Sequence, residues 1–101
     1  MRIFDDYELQ KGRYKVRRSL LWEYDYDAFD FQKHRALVVQ RVIQLGRLAD
    51  FFAVFDLYGG IDAVAKIAKN EVDDLSDRDL QFMCDAFHLK KEETKCFIGK
   101  Q

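Results

Sequence analysis

Residues 20–31 read LLWEYDYDAFDF and combine carboxylates with aromatic side chains more densely than any other stretch of the chain. Glu23, Asp25 and Asp27 occupy alternate positions, as do the first three oxygen ligands of a calcium-binding loop. Such a loop also needs a glycine at its sixth position and a bidentate glutamate at its twelfth. This chain has Ala28 and His34 there. The spacing therefore argues against calcium.

Without a metal, the same segment is interpreted as a surface for a partner. In extended form, alternation would place the aromatic side chains on one face and the acids on the other. We predict that Trp22 anchors the segment to the core, and that the acidic face meets a basic partner, either the chain's own basic arm or another protein. The candidate partner-binding residues are Trp22, Glu23, Asp25 and Asp27.

Cysteines and histidines are the other residues with metal-binding or nucleophilic chemistry. Cys84 and His88 have helical spacing and, with Cys96 and His34, complete a set of four zinc-ligand types, but no Cys-x-x-Cys pair supports the site. We interpret Cys84 as a core thiol and His88 as a surface imidazole. No nucleophile motif occurs, and the glycine pair lacks the spacing and lysine of a phosphate loop. We therefore predict no enzyme activity, catalytic residue, metal or cofactor.

Charge is distributed unevenly along the chain. Residues 1–19 carry six basic and three acidic side chains, a balance of +3, whereas the remainder carries −4. The basic arm is open to two interpretations: it contacts nucleic-acid phosphates, or it is solvated or paired within the protein. The acidic side chains of residues 20–101 would repel a nucleic-acid duplex. The nucleic-acid candidates are Lys11, Arg13, Lys15, Arg17 and Arg18.

The elements that must position these residues are mostly helical. Apolar side chains recur at helical spacing from about residue 31, over 48–58, over 61–70 and after 76, with a last turn around 91–97. Asp30 is predicted to cap the first helix, Gly46 to end it in a left-handed conformation, and Ser76 to cap a later one. Gly59-Gly60 separates two helices.

The N-terminal part has a different pattern. Bases alternate along residues 11–17 and acids along 22–27, so we predict that the two segments pair as antiparallel strands with opposite charges facing. The predicted fold class is mainly α, a compact bundle of four to five short helices with an extended or β-hairpin-like N-terminal segment. We expect a basic arm over 1–19 and a single helical domain over 20–101.

Length and composition limit the class of protein. With 101 residues, 49% of them hydrophobic, the chain is expected to fold as one domain with one core. It has no apolar run of membrane-spanning length and no signal-peptide pattern, so a cytoplasmic location with reduced cysteines is predicted. A helix-turn-helix over residues 79–97 is a further interpretation, opposed by Glu92 and Glu93 at the start of the recognition helix.

The segment LLWEYDYDAFDFQKHRALVVQRVIQLGRLADFFAVFDLYG resembles a family of small uncharacterised bacterial helical domains. That family's pattern reads Leu-Phe-Trp-Asp-x-Asp, Asp-Trp, Arg-Val-x-x-x-Gly, an acid four residues on, and Tyr-Gly. The resemblance covers roughly residues 20–97. The matching positions in the quoted segment are Leu20, Leu21, Trp22, Glu23, Asp25, Asp30, Phe31, Arg41, Val42, Gly46, Asp50, Tyr58 and Gly59.

The resemblance implies a function as well as a helical fold. Members of the family are often encoded beside nucleotidyltransferase toxins of the abortive-infection type, which implies an antitoxin-like or accessory partner in a toxin–antitoxin system. It implies no catalytic residues. The leading hypothesis is therefore a cytoplasmic protein-interaction module, possessing a protein partner such as a nucleotidyltransferase toxin. The alternative is a nucleic-acid-binding regulator using residues 11–18 or the helix-turn-helix-like C-terminal half.

Overall fold

The structure, a computed structural model that describes residues 3–99, contains six α-helices within that range. The mainly α class is confirmed, with more helices than the predicted four to five. Residues 1–2 of the predicted arm and 100–101 of the predicted domain lie outside it. The helices are α1 Tyr7–Gln10, α2 Arg35–Leu45, α3 Leu48–Tyr58, α4 Ile61–Asn70, α5 Asp77–Phe87 and α6 Lys95–Gly99, with 3₁₀ turns at Arg18–Leu21, Tyr26–Ala28 and Lys91–Glu93.

The carboxylate of Asp30 caps the turn that leads into α2. Its Oδ1 accepts hydrogen bonds from the backbone N–H groups of Gln32 at 3.1 Å and Lys33 at 3.0 Å. Asp30 therefore caps the turn over residues 31–34 that leads into α2, whereas the N-cap residue of α2 itself is His34, which makes no side-chain cap hydrogen bond. The regular helix begins at Arg35, after a turn over residues 31–34, rather than at 31.

The end of α2 does not match the prediction. Gly46 has φ −78° and ψ 163°, which is extended backbone, so the expected left-handed conformation is wrong. The glycine is needed for space instead. A Cβ atom at this position would lie 2.5 Å from the carbonyl oxygen of Val42, which also accepts the Gly46 N–H at 2.8 Å. The close turn into α3 therefore leaves no room for a side chain.

The later helix boundaries agree with the sequence signals. Gly59 ends α3 with φ 99°, a conformation that glycine adopts without steric cost. Ser76 caps α5, because its Oγ accepts the N–H of Asp79 at 3.1 Å. The predicted last turn is split into the 3₁₀ turn and α6, which extends to Gly99.

Aromatic side chains form the centre of the core. Phe4 contacts Phe55 edge to face at 4.9 Å between ring centroids and lies 5.2 Å from both Phe51 and Phe87. Such geometries add to the free energy gained by burying the rings. Phe4, Tyr7 and Val16 all belong to the N-terminal segment and are buried in the core. The basic residues between them are therefore held against the helical domain. Helix α4 packs on both α2 and α3 beside this cluster.

The predicted β-hairpin is wrong, because no strand forms within residues 3–99. Residues 18–21 curl into a 3₁₀ turn that buries Leu20 and Leu21. The side chain of Asp25 accepts the N–H of Asp27 and begins a second turn. Local turns therefore replace the ladder that the charge alternation suggested. The two segments predicted to be strands, residues 11–17 and 22–27, are joined by a hydrogen bond that the Tyr26 hydroxyl donates to the Val16 carbonyl oxygen at 2.7 Å.

The segment that would serve as a recognition helix is a 3₁₀ turn followed by the five-residue α6, in which Cys96 is fully buried while Lys95 and Ile98 are exposed. The second helix of the helix-turn-helix interpretation is therefore shorter than two turns.

Within residues 3–99 the longest helices have 11 residues, well below the roughly 20 that a bilayer-crossing helix needs.

Candidate functional site

Trp22 lies on the surface, with 78% of its area exposed. The expectation that it anchors the segment to the core is therefore wrong. Leu20 and Leu21, only 3% and 1% exposed, provide the anchor instead. The 3₁₀ turn sends these two leucines inward and leaves the next residue, Trp22, directed away from the core. Among the large hydrophobic side chains of residues 3–99, Trp22 has the highest exposed fraction, followed by Leu9 at 75%.

The turn that carries Trp22 is held in place on both sides. Glu23 forms an ion pair with Arg41 of α2, and the two side chains are only 27% and 22% exposed. Arg41 also donates from Nη1 to the carbonyl oxygen of Leu20 at 2.9 Å. The hydrogen bond from Arg41 lowers the pKa of Glu23 below its ordinary value. Trp22 is thus exposed on a fixed piece of backbone.

A second exposed apolar residue lies near the ion pair. Leu45 is one helical turn beyond Arg41 on the same face of α2, a spacing that brings Cβ atoms to about 5–6 Å. Its exposed fraction is 63%. We call Trp22, Glu23, Arg41 and Leu45 the Trp22 surface. It combines two apolar side chains with one internally neutralised ion pair.

Asp25 and Asp27 lie along the same segment but do not converge with Glu23. Asp27 pairs with Arg18 at 2.9 Å, with both side chains exposed to water. The guanidinium of Arg18 also lies 4.7 Å from the centre of the Tyr26 ring. Asp27 therefore pairs with the chain's own basic arm, which is one of the two partners predicted for the acidic face.

Within residues 3–99, no three His, Cys, Asp or Glu side chains lie close enough together to hold a metal ion.

The basic residues of the arm have unequal surroundings. Lys11 pairs with Glu8 at 2.9 Å, and Arg18 pairs with Asp27. Arg17 binds the buried carboxylate of Asp50. Three of the five nucleic-acid candidates are thus engaged by carboxylates of the same chain. The remaining two, Arg13 and Lys15, are exposed and make no ion pair with a residue in the described range 3–99.

The Arg17–Asp50 pair is a structural site that the sequence interpretation missed. Nε of Arg17 lies 3.0 Å from both carboxylate oxygens, and Nη2 lies 2.8 Å from Oδ2. Asp50, 2% exposed, also accepts the N–H of Arg47 at 2.8 Å and so caps α3. The position of Asp50 in the first turn of α3 was the available signal. Nothing local pairs it with Arg17, which lies 33 residues earlier.

Cys84 and His88, the two residues considered as half of a zinc site, differ in their burial. Cys84 is buried, and burial raises the pKa of its thiol, which favours the unreactive protonated form. His88 is exposed and ends α5 in a left-handed conformation with φ 57°. The interpretation of a core thiol and a surface imidazole is confirmed. Cys96 is buried as well, with its Sγ 3.8 Å from the carbonyl oxygen of Leu75.

The fold and the site together define a small all-α domain that presents a fixed, exposed tryptophan. A family model described as a family of unknown function (DUF6922) matches residues 16–68. The chain belongs to this family. The matched part contains the Trp22 surface together with α2, α3 and most of α4. No curated protein and no solved structure matches the chain.

Proposed function

We propose that this protein is a protein-interaction module, and that the Trp22 surface inserts into an apolar pocket with a basic rim on its partner. The observation that carries the proposal is the 78% exposure of Trp22 on a turn fixed by the Glu23–Arg41 pair. Tryptophan is enriched among the interface residues that contribute most to binding. A fixed turn also loses little conformational freedom when the complex forms.

Burial of Trp22 in a partner could supply a substantial share of the free energy of binding. Burying its ring removes roughly 150 Å² of apolar surface from water, which is worth about 3–4 kcal/mol. Leu45, 63% exposed and one helical turn from Arg41, offers further apolar surface. The ion pair needs no counter-charge from the partner, because Arg41 already neutralises Glu23.

Charge supports a basic rim on the partner. Asp25 is exposed and has no ion pair with a residue in the range 3–99, while Asp27 shares its carboxylate with the exposed Arg18. Residues 20–101 carry a balance of −4. Such charge increases the association rate with a basic surface and lowers the affinity for acidic ones.

In its more specific form, the proposal is an antitoxin-like or accessory role beside a nucleotidyltransferase toxin. Its support is the family resemblance of residues 20–97 to domains encoded beside such toxins. Its direct test is co-expression with the product of an adjacent nucleotidyltransferase gene, followed by size-exclusion chromatography. Co-elution at micromolar concentration is expected, and separate elution would contradict this specific role.

The single tryptophan makes the docking proposal testable by fluorescence. In the free protein, Trp22 should emit as a solvated indole and be readily quenched by acrylamide. In the complex, emission should shift to shorter wavelength and quenching should fall. Using a tryptophan-free variant of the partner ensures that Trp22 alone is observed. Unchanged emission in a complex shown by chromatography would place the interface elsewhere and overturn the proposal.

A matched pair of variants separates the site from general apolar stickiness. Trp22→Ala should raise the Kd by at least about thirtyfold, because residues that dominate an interface contribute about 2 kcal/mol or more. Leu9→Ala is the control, since Leu9 is 75% exposed and lies in α1. Equal losses for the two variants would argue against a Trp22 interface.

The second candidate is nucleic-acid binding through the basic arm. Its support is that Arg13 and Lys15 are exposed and lack a carboxylate partner in the described range. A gel shift on DNA from upstream of the gene would compare the wild type with Arg13→Gln/Lys15→Gln at two salt concentrations. Salt-sensitive binding that the double variant loses would favour this function over protein docking.

A further inference from the structure

A second surface, independent of the Trp22 surface, lies where the N-terminal segment crosses α3. Two carboxylates of α3 fasten this segment. Asp56 accepts the Tyr7 hydroxyl at 2.8 Å and the N–H of Gly12 at 2.7 Å, and Asp50 binds Arg17. We call residues 12–17 the strap. It is tied to the helix at both of its ends.

The strap is longer than the distance it must span. Asp50 and Asp56 are six residues apart in α3, which corresponds to about 9 Å along the helix axis. Gly12 and Arg17 are five residues apart, and an extended chain of that length reaches roughly 17 Å. The excess length lets the strap bow away from α3. A cleft of about 340 Å³ lies between the two.

The walls of the cleft are mainly apolar. Aromatic rings of Tyr14, Tyr26 and Phe31 line it, together with Ala53 and Leu57 of α3. The Tyr26 hydroxyl is already bonded to the backbone of the strap, so that ring is held in position. A volume of this size is at the lower end of the range for small-molecule sites. The walls therefore suit one ring or branched aliphatic group.

Two opposite charges complete the lining. Lys15 of the strap has no ion pair with any residue in the range 3–99. Asp56 also lines the cleft. Each of its oxygens already accepts one hydrogen bond, and a carboxylate can accept about four in all. The Lys15 ammonium, which has no ion pair in this range, and the Asp56 carboxylate, which can accept further hydrogen bonds, thus border the same apolar cleft.

We propose that the cleft under the strap binds a free α-amino acid with an aromatic or branched aliphatic side chain. The side chain would contact Tyr14, Tyr26 and Phe31, the α-carboxylate would pair with Lys15, and the α-ammonium would donate to Asp56. A free α-amino acid carries both charges beside its side chain, whereas a residue inside a protein chain carries neither. The proposal does not depend on a protein partner at the Trp22 surface.

The test is an NMR titration of the full-length protein with L-phenylalanine and three analogues. Phenethylamine lacks the carboxylate, 3-phenylpropionate lacks the ammonium, and N-acetylphenylalanine amide lacks both charges. The amides of Gly12 and Tyr14 should shift saturably with L-phenylalanine. Because exposed ion pairs contribute little to binding, each missing charge should weaken it roughly two- to fivefold.

A lysine variant links this preference to the cleft. In Lys15→Gln, L-phenylalanine should bind no more tightly than phenethylamine, while Lys90→Gln, at an exposed lysine outside the cleft lining, should keep the wild-type order. Absence of a saturable shift at millimolar L-phenylalanine would overturn the proposal. Equal affinity of all four compounds, or an unchanged preference in Lys15→Gln, would overturn it equally. Tighter binding of the doubly neutral analogue would assign the cleft to a protein segment instead.

Discussion

Arg17 and Arg18 are adjacent in the sequence, yet they bind carboxylates in opposite surroundings. Arg17 contacts Asp50, whose side chain is 2% exposed, whereas Arg18 contacts Asp27, whose side chain is 78% exposed. The first pair joins the strap to the cap of α3, and the second lies in solvent. Residue type and N···O distance are similar in the two pairs. Burial of the carboxylate decides which of them the fold depends on.

The largest effect is expected from Asp50→Ala. It removes the carboxylate that binds Arg17 and caps α3, and it leaves the Arg47 N–H without its acceptor. We expect the free energy of unfolding to fall by roughly 2–3 kcal/mol. This loss is smaller than the loss expected when a fully buried ion pair is broken, because the Arg17 side chain is 36% exposed and can be hydrated in the variant. Urea denaturation measures this loss. A loss no greater than that of Asp27→Ala would contradict the comparison.

A smaller effect is expected at the other end of the strap. Tyr7→Phe removes the hydroxyl that donates to Asp56 at 2.8 Å and keeps the ring in the core. Burial, followed by the bond to Asp56, raises the pKa of Tyr7 to about 12, so the hydroxyl is protonated at neutral pH. The free energy of unfolding should fall by about 1 kcal/mol. Tyr14→Phe, at an exposed hydroxyl, is the control and should change it little.

The Glu23–Arg41 pair should show its contribution through pH. Its hydrogen bond lowers the folded-state pKa of Glu23, so the stabilisation is complete above the unfolded pKa, near 4.5. It is lost as the pH falls through the lower folded-state value. Glu23→Gln should therefore be less stable than the wild type at pH 7, and the difference should shrink on acidification below about pH 4. Urea denaturation across this pH range measures it. A difference independent of pH would contradict this assignment.

The smallest effect is expected where both partners are in water. Asp27→Asn removes the charge that pairs with Arg18 and should change the free energy of unfolding by at most about 0.5 kcal/mol. The change should disappear at high salt. A loss comparable to that of Asp50→Ala would mean that burial does not explain the difference between the two arginines.

Local signals predicted the features that depend on local chemistry. Ser76, Asp30 and Gly59 act within a few residues of their own positions, so their roles could be read from neighbours in the chain. Gly46 shows the limit of such reasoning. A glycine after a helix indicates a left-handed end, but Gly46 has an extended backbone, and the close carbonyl oxygen of Val42 leaves no room for a Cβ atom there.

Two residues of the Trp22 surface, Trp22 and Glu23, are among the partner-binding candidates predicted from the sequence, whereas Arg41 and Leu45 are not. Trp22 was selected from its sequence neighbourhood, yet it was expected to be buried. Charge alternation suggested that residues 11–17 and 22–27 pair as strands, whereas the structure has 3₁₀ turns at Arg18–Leu21 and Tyr26–Ala28. Pairing of Glu23 with Arg41 depends on how the turn packs on α2, so the spacing of 18 residues gives no indication of it.

The sequence by itself determined the helical class, the cap at Ser76, the helix end at Gly59 and the family to which the chain belongs, because short-range periodicity and residue type carry that information. Tertiary structure alone decided which arginine of an adjacent pair is structural, that the tryptophan faces solvent, and that a cleft lies beneath the strap. Those outcomes depend on contacts between residues far apart in the chain, whose geometry and burial exist only once the whole core has packed.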